Sequence, residues 1–296
     1  MFYYKFYGYI IASNIICPYL SEADQKDVAN NDLITIAINE ANGGIFQKER
    51  IYSFSYSDTT YHGRWKDIVF QIDWDSKRIE ATAQRTNDAF LFLLNVPISL
   101  LLAYYGKIII HCSAIMTKNI VIGFCGSKGV GKTTLCSCLT DKDEDIIFFS
   151  DDSLCLDFEE KKIFSNYYVI KLTDTNRRIL QEEISDFSFV SHNNGKTIYK
   201  LGYYGSTVSL SNLQLYFVYR SFISKRIEIN NATVLSFLIE DNLVGKNYMP
   251  VYIRNKTKSI IDECVREMQM PAKVLLIAEM QMINKHQFAD SIWSLL

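Results

Sequence analysis

The chain has 296 residues, 48% of them hydrophobic and 22% charged, with 31 basic against 33 acidic side chains and a formal charge of −2. That balance excludes wholesale disorder and collagen-like repeats, and it lacks the basic footprint that sequence-independent nucleic-acid binding requires. At roughly 100–200 residues per domain the length predicts one large domain or two small ones, and 19 Tyr with 18 Phe supply material for a substantial core.

In chain order, the opening MFYYKFYGYI lacks the basic stretch and small-residue cleavage site of a secretory signal. Leu33–Ile38 is a short apolar run, and Asn42-Gly43-Gly44 after it is a turn signal. Arg50–Tyr56 and Asp67–Asp73 show rough apolar alternation. These features predict a β-rich N-terminal domain over 1–88, packed on the C-terminal domain. Ala89–Tyr105 is apolar but interrupted by Asn95 and Pro97. It falls short of the ~20 residues a spanning helix needs, so it reads as a buried helical segment broken near Pro97. No membrane or nucleic-acid partner is expected, and self-association stays open. Seven scattered cysteines with no CxxC or Cys/His cluster read as reduced core residues of a cytoplasmic protein.

Beyond Gly106 the pattern alternates. Strands are expected at Ile108–Ile115 and Asn119–Cys125, then a Gly-rich turn, a helix Lys132–Leu139, and a strand Asp145–Ser150. Leu154–Phe158 and Ile163–Leu172 read as strands around a turn at Glu159–Lys162. A helix is expected from the N-cap Asp174 to Ile184. Leu213–Arg220 and Lys273–Ala278 read as strands, and Ala232–Asp241, Lys258–Gln269 and Asn284–Leu295 as helices. This mixture predicts an α/β nucleotide-binding domain over 89–296.

Gly126-Ser127-Lys128-Gly129-Val130-Gly131-Lys132-Thr133 matches G-x-x-x-x-G-K-[ST]. The glycines let backbone N–H groups wrap a phosphate, and the helix after them adds its positive dipole end. Lys132 supplies a cation to the β- and γ-phosphates, and the Thr133 hydroxyl can ligate Mg²⁺. Lys128 is either a second phosphate contact or a solvated side chain. Thr134 completes the nucleotide-binding stretch. Nineteen residues after Lys132, the apolar run Ile146–Phe149 and Ser150 end in Asp151-Asp152. Two carboxylates at a strand end can divide labour, one holding metal and the other taking a proton from an attacking hydroxyl. His111 lies late in an apolar run, 15 residues before the loop. Alone, it reads more readily as a packed strand residue than as a catalytic one.

His111-Cys112-Ser113-Ala114, then Gly126–Thr133, then Asp151-Asp152 resembles the HPr kinase/phosphorylase family and its short relatives, which include lasso-peptide tailoring kinases. Phe6–Ser13 with Pro18-Tyr19-Leu20 is similar to the opening of those relatives. The resemblance implies a phosphoenolpyruvate-carboxykinase-like P-loop kinase core and an ATP- and Mg²⁺-dependent kinase acting on a serine hydroxyl of a protein or small precursor peptide. It makes Asp151 the general base, Thr133 and Asp152 the metal ligands, His111 an auxiliary group, and Lys171 a phosphate contact. The chain departs from the family in reading Lys128-Gly129 in mid-loop and Thr133-Thr134 after the loop Lys. It also has no glycine between Gly131 and Gly195, where the bifunctional enzymes carry a Gly-rich signature, which puts phosphorylase activity in doubt. Competing expectations are a nucleotide-binding regulatory protein without phosphotransfer and a small-molecule kinase.

Overall fold

The computed structural model describes residues 1–41, 53–141, 143, 145–165, 169–173, 188–193, 196–200, 207–221, 225–268, 272–278 and 285–296. The expected turn at Asn42-Gly43-Gly44 and the expected helix Asp174–Ile184 lie outside these residues. The fold is mixed α/β, and the chain forms two compact units: Met1–Lys107 with Val244–Lys256, and Ile108–Leu243 with Thr257–Leu296.

In the first unit, seven strands form one sheet. They are β1 (Phe2–Phe6), β2 (Tyr9–Ser13), β3 (Leu33–Glu40), β4 (Ser53–Tyr56), β5 (Thr60–Trp65), β6 (Ile68–Asp73) and β7 (Arg78–Ala83). Their order is β1-β2-β3-β7-β6-β5-β4. The β1–β2 connection is the pair Tyr7-Gly8, both at positive φ (50° and 78°), as a two-residue hairpin with right-handed twist demands. Pairing of β3 with β2 and with β7 is parallel. Alternation decides which face is covered: Ile34, Ile36 and Ile38 are buried, as are Ile68, Phe70 and Ile72, and Ile79, Ala81 and Ala83.

A short helix, α1 (Gln25–Asn30), is closed by a capping box in which the Asp24 carboxylate accepts from the Asp27 N–H. The apolar segment after β7 divides into α2 (Thr86–Leu93) and α3 (Val96–Tyr104), with Asn95 as N-cap and Pro97 in the first turn of α3. There the missing N–H of proline costs nothing, whereas in a continuous helix it would break a bond. α3 is buried from Pro97 to Ala103, a helix apolar all round. Among the described residues, no helix is long and apolar enough to cross a membrane. The expected boundary at 88/89 falls inside α2. That helix packs against β3 and β7, so it belongs with the N-terminal sheet and the division comes at 107/108.

The second unit holds β8 (Lys107–Ile110, whose first residue closes the first unit), β9 (Cys112–Thr117), β10 (Ile120–Cys125), β11 (Ile147–Ser150), β12 (Leu154–Asp157), β13 (Lys162–Phe164) and β14 (Val169–Thr173). It continues with β15 (Ser188–Asn193), β16 (Lys196–Lys200), β17 (Thr207–Ser209), β18 (Leu213–Ser221), β19 (Lys225–Glu228) and β20 (Ala272–Ala278). The largest of its sheets runs β11-β9-β10-β18-β20-β19, with β10, β18 and β20 mutually parallel and β9 antiparallel to both its neighbours. The others are β17-β13-β12-β8 and β14-β16-β15.

Its helices are α4 (Lys132–Thr140), α5 (Asn231–Ser236), α6 (Val251–Met268, which begins in the first unit) and α7 (Lys285–Trp293). α4 packs on β9, β11 and α7, burying Leu135 and Leu139 with Ile115, Phe124, Tyr216, Leu275 and Ile292. Two expected strands each prove to be two. The run 108–115 breaks at His111, with β8 and β9 in different sheets, and 163–172 divides into β13 and β14, also in different sheets. Every residue of β8 and the first four of β9 are buried. Strands covered on both faces lose the alternation that would mark a break. The expected helix 232–241 is α5 followed by a π-helical turn, Phe237–Asn242.

Candidate functional site: a glycine loop ringed by buried polar groups

The loop Gly126–Gly131 joins β10 to α4. Gly126, Gly129 and Gly131 have φ of 149°, 86° and 106°, values that L side chains rarely adopt. Gly126 is also held by space: a Cβ there would lie 2.6 Å from the Val218 carbonyl oxygen, while Gly129 and Gly131 have nothing within 4 Å. The Gly126 N–H donates to Asn242 Oδ1 at 2.9 Å, and Arg220 Nη2 donates to the Gly129 carbonyl at 2.7 Å. Ser127, Lys128 and Gly129 are exposed, Val130, Gly131 and Thr133 half-buried, and Thr134 buried. With glycine as N-cap, α4 presents first-turn N–H groups suited to an anion.

Lys132 is 6% exposed. Its Nζ donates to the Gly126 carbonyl at 2.7 Å, to the Ser127 carbonyl at 3.2 Å and to His111 Nε2 at 3.0 Å. An ammonium only donates, so His111 Nε2 accepts and its Nδ1–H donates to the Asp152 carbonyl at 2.9 Å. Burial, and then the Lys132 charge, pull the imidazole below its ordinary pKa against the opposing Asp152 carboxylate. Burial likewise lowers Lys132. His111 sits at the break between β8 and β9, its N–H donating to the Asn242 carbonyl at 2.6 Å.

The two aspartates differ sharply. Asp151 is 1% exposed. Its Oδ1 accepts from the Thr133 hydroxyl at 2.8 Å and the Ser113 hydroxyl at 2.9 Å, and its Oδ2 accepts from the Lys171 N–H at 3.1 Å. Burial, with the neighbouring Asp152 charge, pushes its carboxyl up, and the hydrogen bonds from Thr133 and Lys171 hold it back. Asp152 comes after the strand at φ 64°, so its side chain leaves on another course. It stays half-buried and pairs with Lys171 Nζ at 2.7 Å.

Structure thus brings His111, Lys132, Thr133, Asp151, Asp152 and Lys171 into one bonded network. Sequence reasoning gave Ser113, Arg220 and Asn242 no role. Nothing in the sequence ties Asn242 to the loop, because the contact spans 116 positions. Thr133, Asp151 and Asp152 offer hard oxygen donors beside a cation. Among the described residues no group of three or more His, Cys, Asp or Glu could enclose a metal. Mg²⁺ suits the smaller set, since it takes one or two carboxylates and draws its remaining ligands from phosphate and water. Comparison with protein-family models finds none that matches the chain, and no curated protein matches its sequence.

Proposed function

We propose that the protein is an ATP- and Mg²⁺-dependent serine kinase, cytoplasmic, acting on a serine of a protein or small precursor peptide, with a P-loop core of the phosphoenolpyruvate-carboxykinase type. One observation carries this reading: the Thr133 hydroxyl, beside the loop lysine, bonds the first carboxylate of the strand-end pair at 2.8 Å. A binding module needs the loop; phosphotransfer also needs a metal-organising carboxylate and a second group for the acceptor proton.

Bound Mg·ATP would supply the γ-phosphoryl group and neutralise part of its charge. The chain's own residues divide the rest. Lys132 leaves His111 for phosphate oxygens, and Lys171 adds a second cation beside Asp152. The roles of the aspartates are the reverse of those the family resemblance implies. Asp151, buried and accepting bonds from Thr133, Ser113 and Lys171, would hold the metal together with Thr133. Asp152, the more exposed carboxylate, takes the proton as the serine oxygen bonds to phosphorus and the bond from phosphorus to the ADP oxygen breaks. His111, freed of Lys132, steadies the Asp152 backbone through its Nδ1–H.

The test is transfer of label from γ-labelled ATP to serine-containing peptides in the presence of Mg²⁺, alongside thermal melting. Nucleotide that binds only the folded state raises Tm. An unchanged Tm at millimolar Mg·ATP would refute the reading.

A further inference from the structure

We infer that Asn242, closing the π-helical turn Phe237–Asn242, is a positioning residue that sets the phosphate loop and His111 in one register; the link to phosphotransfer rests on the proposed kinase activity. Asn242 is 2% exposed and lies at the crossing of three bonds. Its Oδ1 accepts from the N–H of Gly126 at 2.9 Å, its Nδ2 donates to the Phe237 carbonyl at 2.8 Å, and its own carbonyl accepts from His111 at 2.6 Å. Gly126 is where the chain leaves β10 for the loop, and His111 is where it passes from β8 to β9. One side chain and its backbone therefore fix both departures.

The turn is itself anchored. The Phe237 ring packs on Phe217 and Tyr219 of β18, at centroid distances of 4.9 and 5.8 Å. β18 backs the loop entry through the Val218 carbonyl, against which a Cβ on Gly126 would collide. Arg220, farther along the same strand, holds Gly129. Gly126 is thus wedged between β18 and Asn242, and its N–H has one orientation available. The later amides of the loop inherit it. π-Helical turns are rare and concentrate at functional sites, since they sacrifice regular bonding for a particular side-chain placement. In this turn the placement delivers a buried amide to a loop 116 residues away.

Amide hydrogen exchange on the full chain without nucleotide reads the contact directly. In Asn242→Ala the Gly126 amide should exchange at least tenfold faster than in the wild type, with the Ile163 amide of β13, in another sheet of the same unit, unchanged. Should the alanine variant not fold, Asn242→Ser, whose hydroxyl is too short to reach Gly126, carries the same expectation. With Mg·ATP added, the alanine or serine variant should bind about tenfold more weakly. Unchanged Gly126 exchange, or acceleration shared equally by Ile163, overturns the inference. A wild-type protein that does not bind Mg·ATP refutes the kinase reading instead, and leaves the exchange result to decide Asn242.

Discussion

The interiors of the two units both rest on large aromatic and aliphatic side chains but differ in the polar groups they bury. In the first, the large buried side chains are Trp74, Tyr4, Tyr61 and Phe90 with isoleucines of the sheet, and its buried polar exceptions among the described residues are Ser13, Ser99 and Lys107. In the second, Ser113, Lys132, Asp151 and Asn242 are all buried around one loop and bonded to it or to one another. Removing a charge from water is costly unless it is paired and hydrogen-bonded, and well-packed apolar groups do the stabilising job at least as well. An interior that stabilises has no use for Lys132 and Asp151. On the proposed kinase reading, their burial serves the arrangement of charge for phosphotransfer.

Substitution can break that contrast. The largest effect should come from Asp152→Asn, which retains shape and removes the proton acceptor: turnover should fall by about 10²–10⁴ with Mg·ATP affinity nearly intact. Asp151→Asn should instead raise the Mg²⁺ concentration needed for binding, since a hard cation loses an anionic oxygen. Identical behaviour of the two variants in Mg²⁺ titration and single-turnover assays would remove the assigned division of labour. In the apolar interior, Trp74→Ala should cost about 3–5 kcal/mol of stability, because Trp74 is fully buried and stacks on Tyr104 at 5.3 Å. Denaturant melts should show that loss, while the folded fraction binds Mg·ATP as before. Lys132→Ala should behave in the opposite way, lowering turnover by about 10²–10³ with little loss of fold. A Lys132 variant that unfolds but turns over normally when refolded would make it a structural residue.

Legibility in the sequence tracks the same divide. The loop was readable as a glycine turn because its signal is local: Gly126, Gly129 and Gly131 stand just ahead of Lys132, and all three take positive φ. In the first unit the alternating run Asp67–Asp73 and the apolar run Leu33–Ile38 could be seen, and they fall in β6 and β3. β8 and β9 could not be separated, because β8 and the start of β9 are buried and read as one apolar run. The π-helical turn was invisible for a related reason, since its consequence lies in a contact across 116 positions. The role of each aspartate was unreadable too. The residues are adjacent, and what distinguishes them is the positive φ of Asp152 and the reach of Thr133 and Ser113 to Asp151.

The smallest effect sharpens the contrast through pH in the nucleotide-free protein. Burial and the Lys132 charge hold His111 below its ordinary value of 6.5, with Asp152 opposing and Lys171 reinforcing. The folded state therefore binds that proton less readily than the unfolded chain. The stability associated with neutral His111 is full above pH ~6.5 and is lost as pH falls through the lower folded value. Asp151 acts with the opposite sign, because its carboxyl is raised by burial and acid relieves a buried charge. Comparing wild type with His111→Gln keeps Asp151 in both proteins, so its contribution largely cancels. Between about pH 7 and 5.5, the range around an ordinary histidine pKa, the wild-type Tm should fall more steeply than that of the variant, whose amide can still accept from Lys132 but takes up no proton. Parallel slopes would mean that the imidazole is free to protonate in the folded protein. Lys132 would then not be donating to His111 Nε2, and the site would lack the neutral histidine from which the loop lysine has to be drawn.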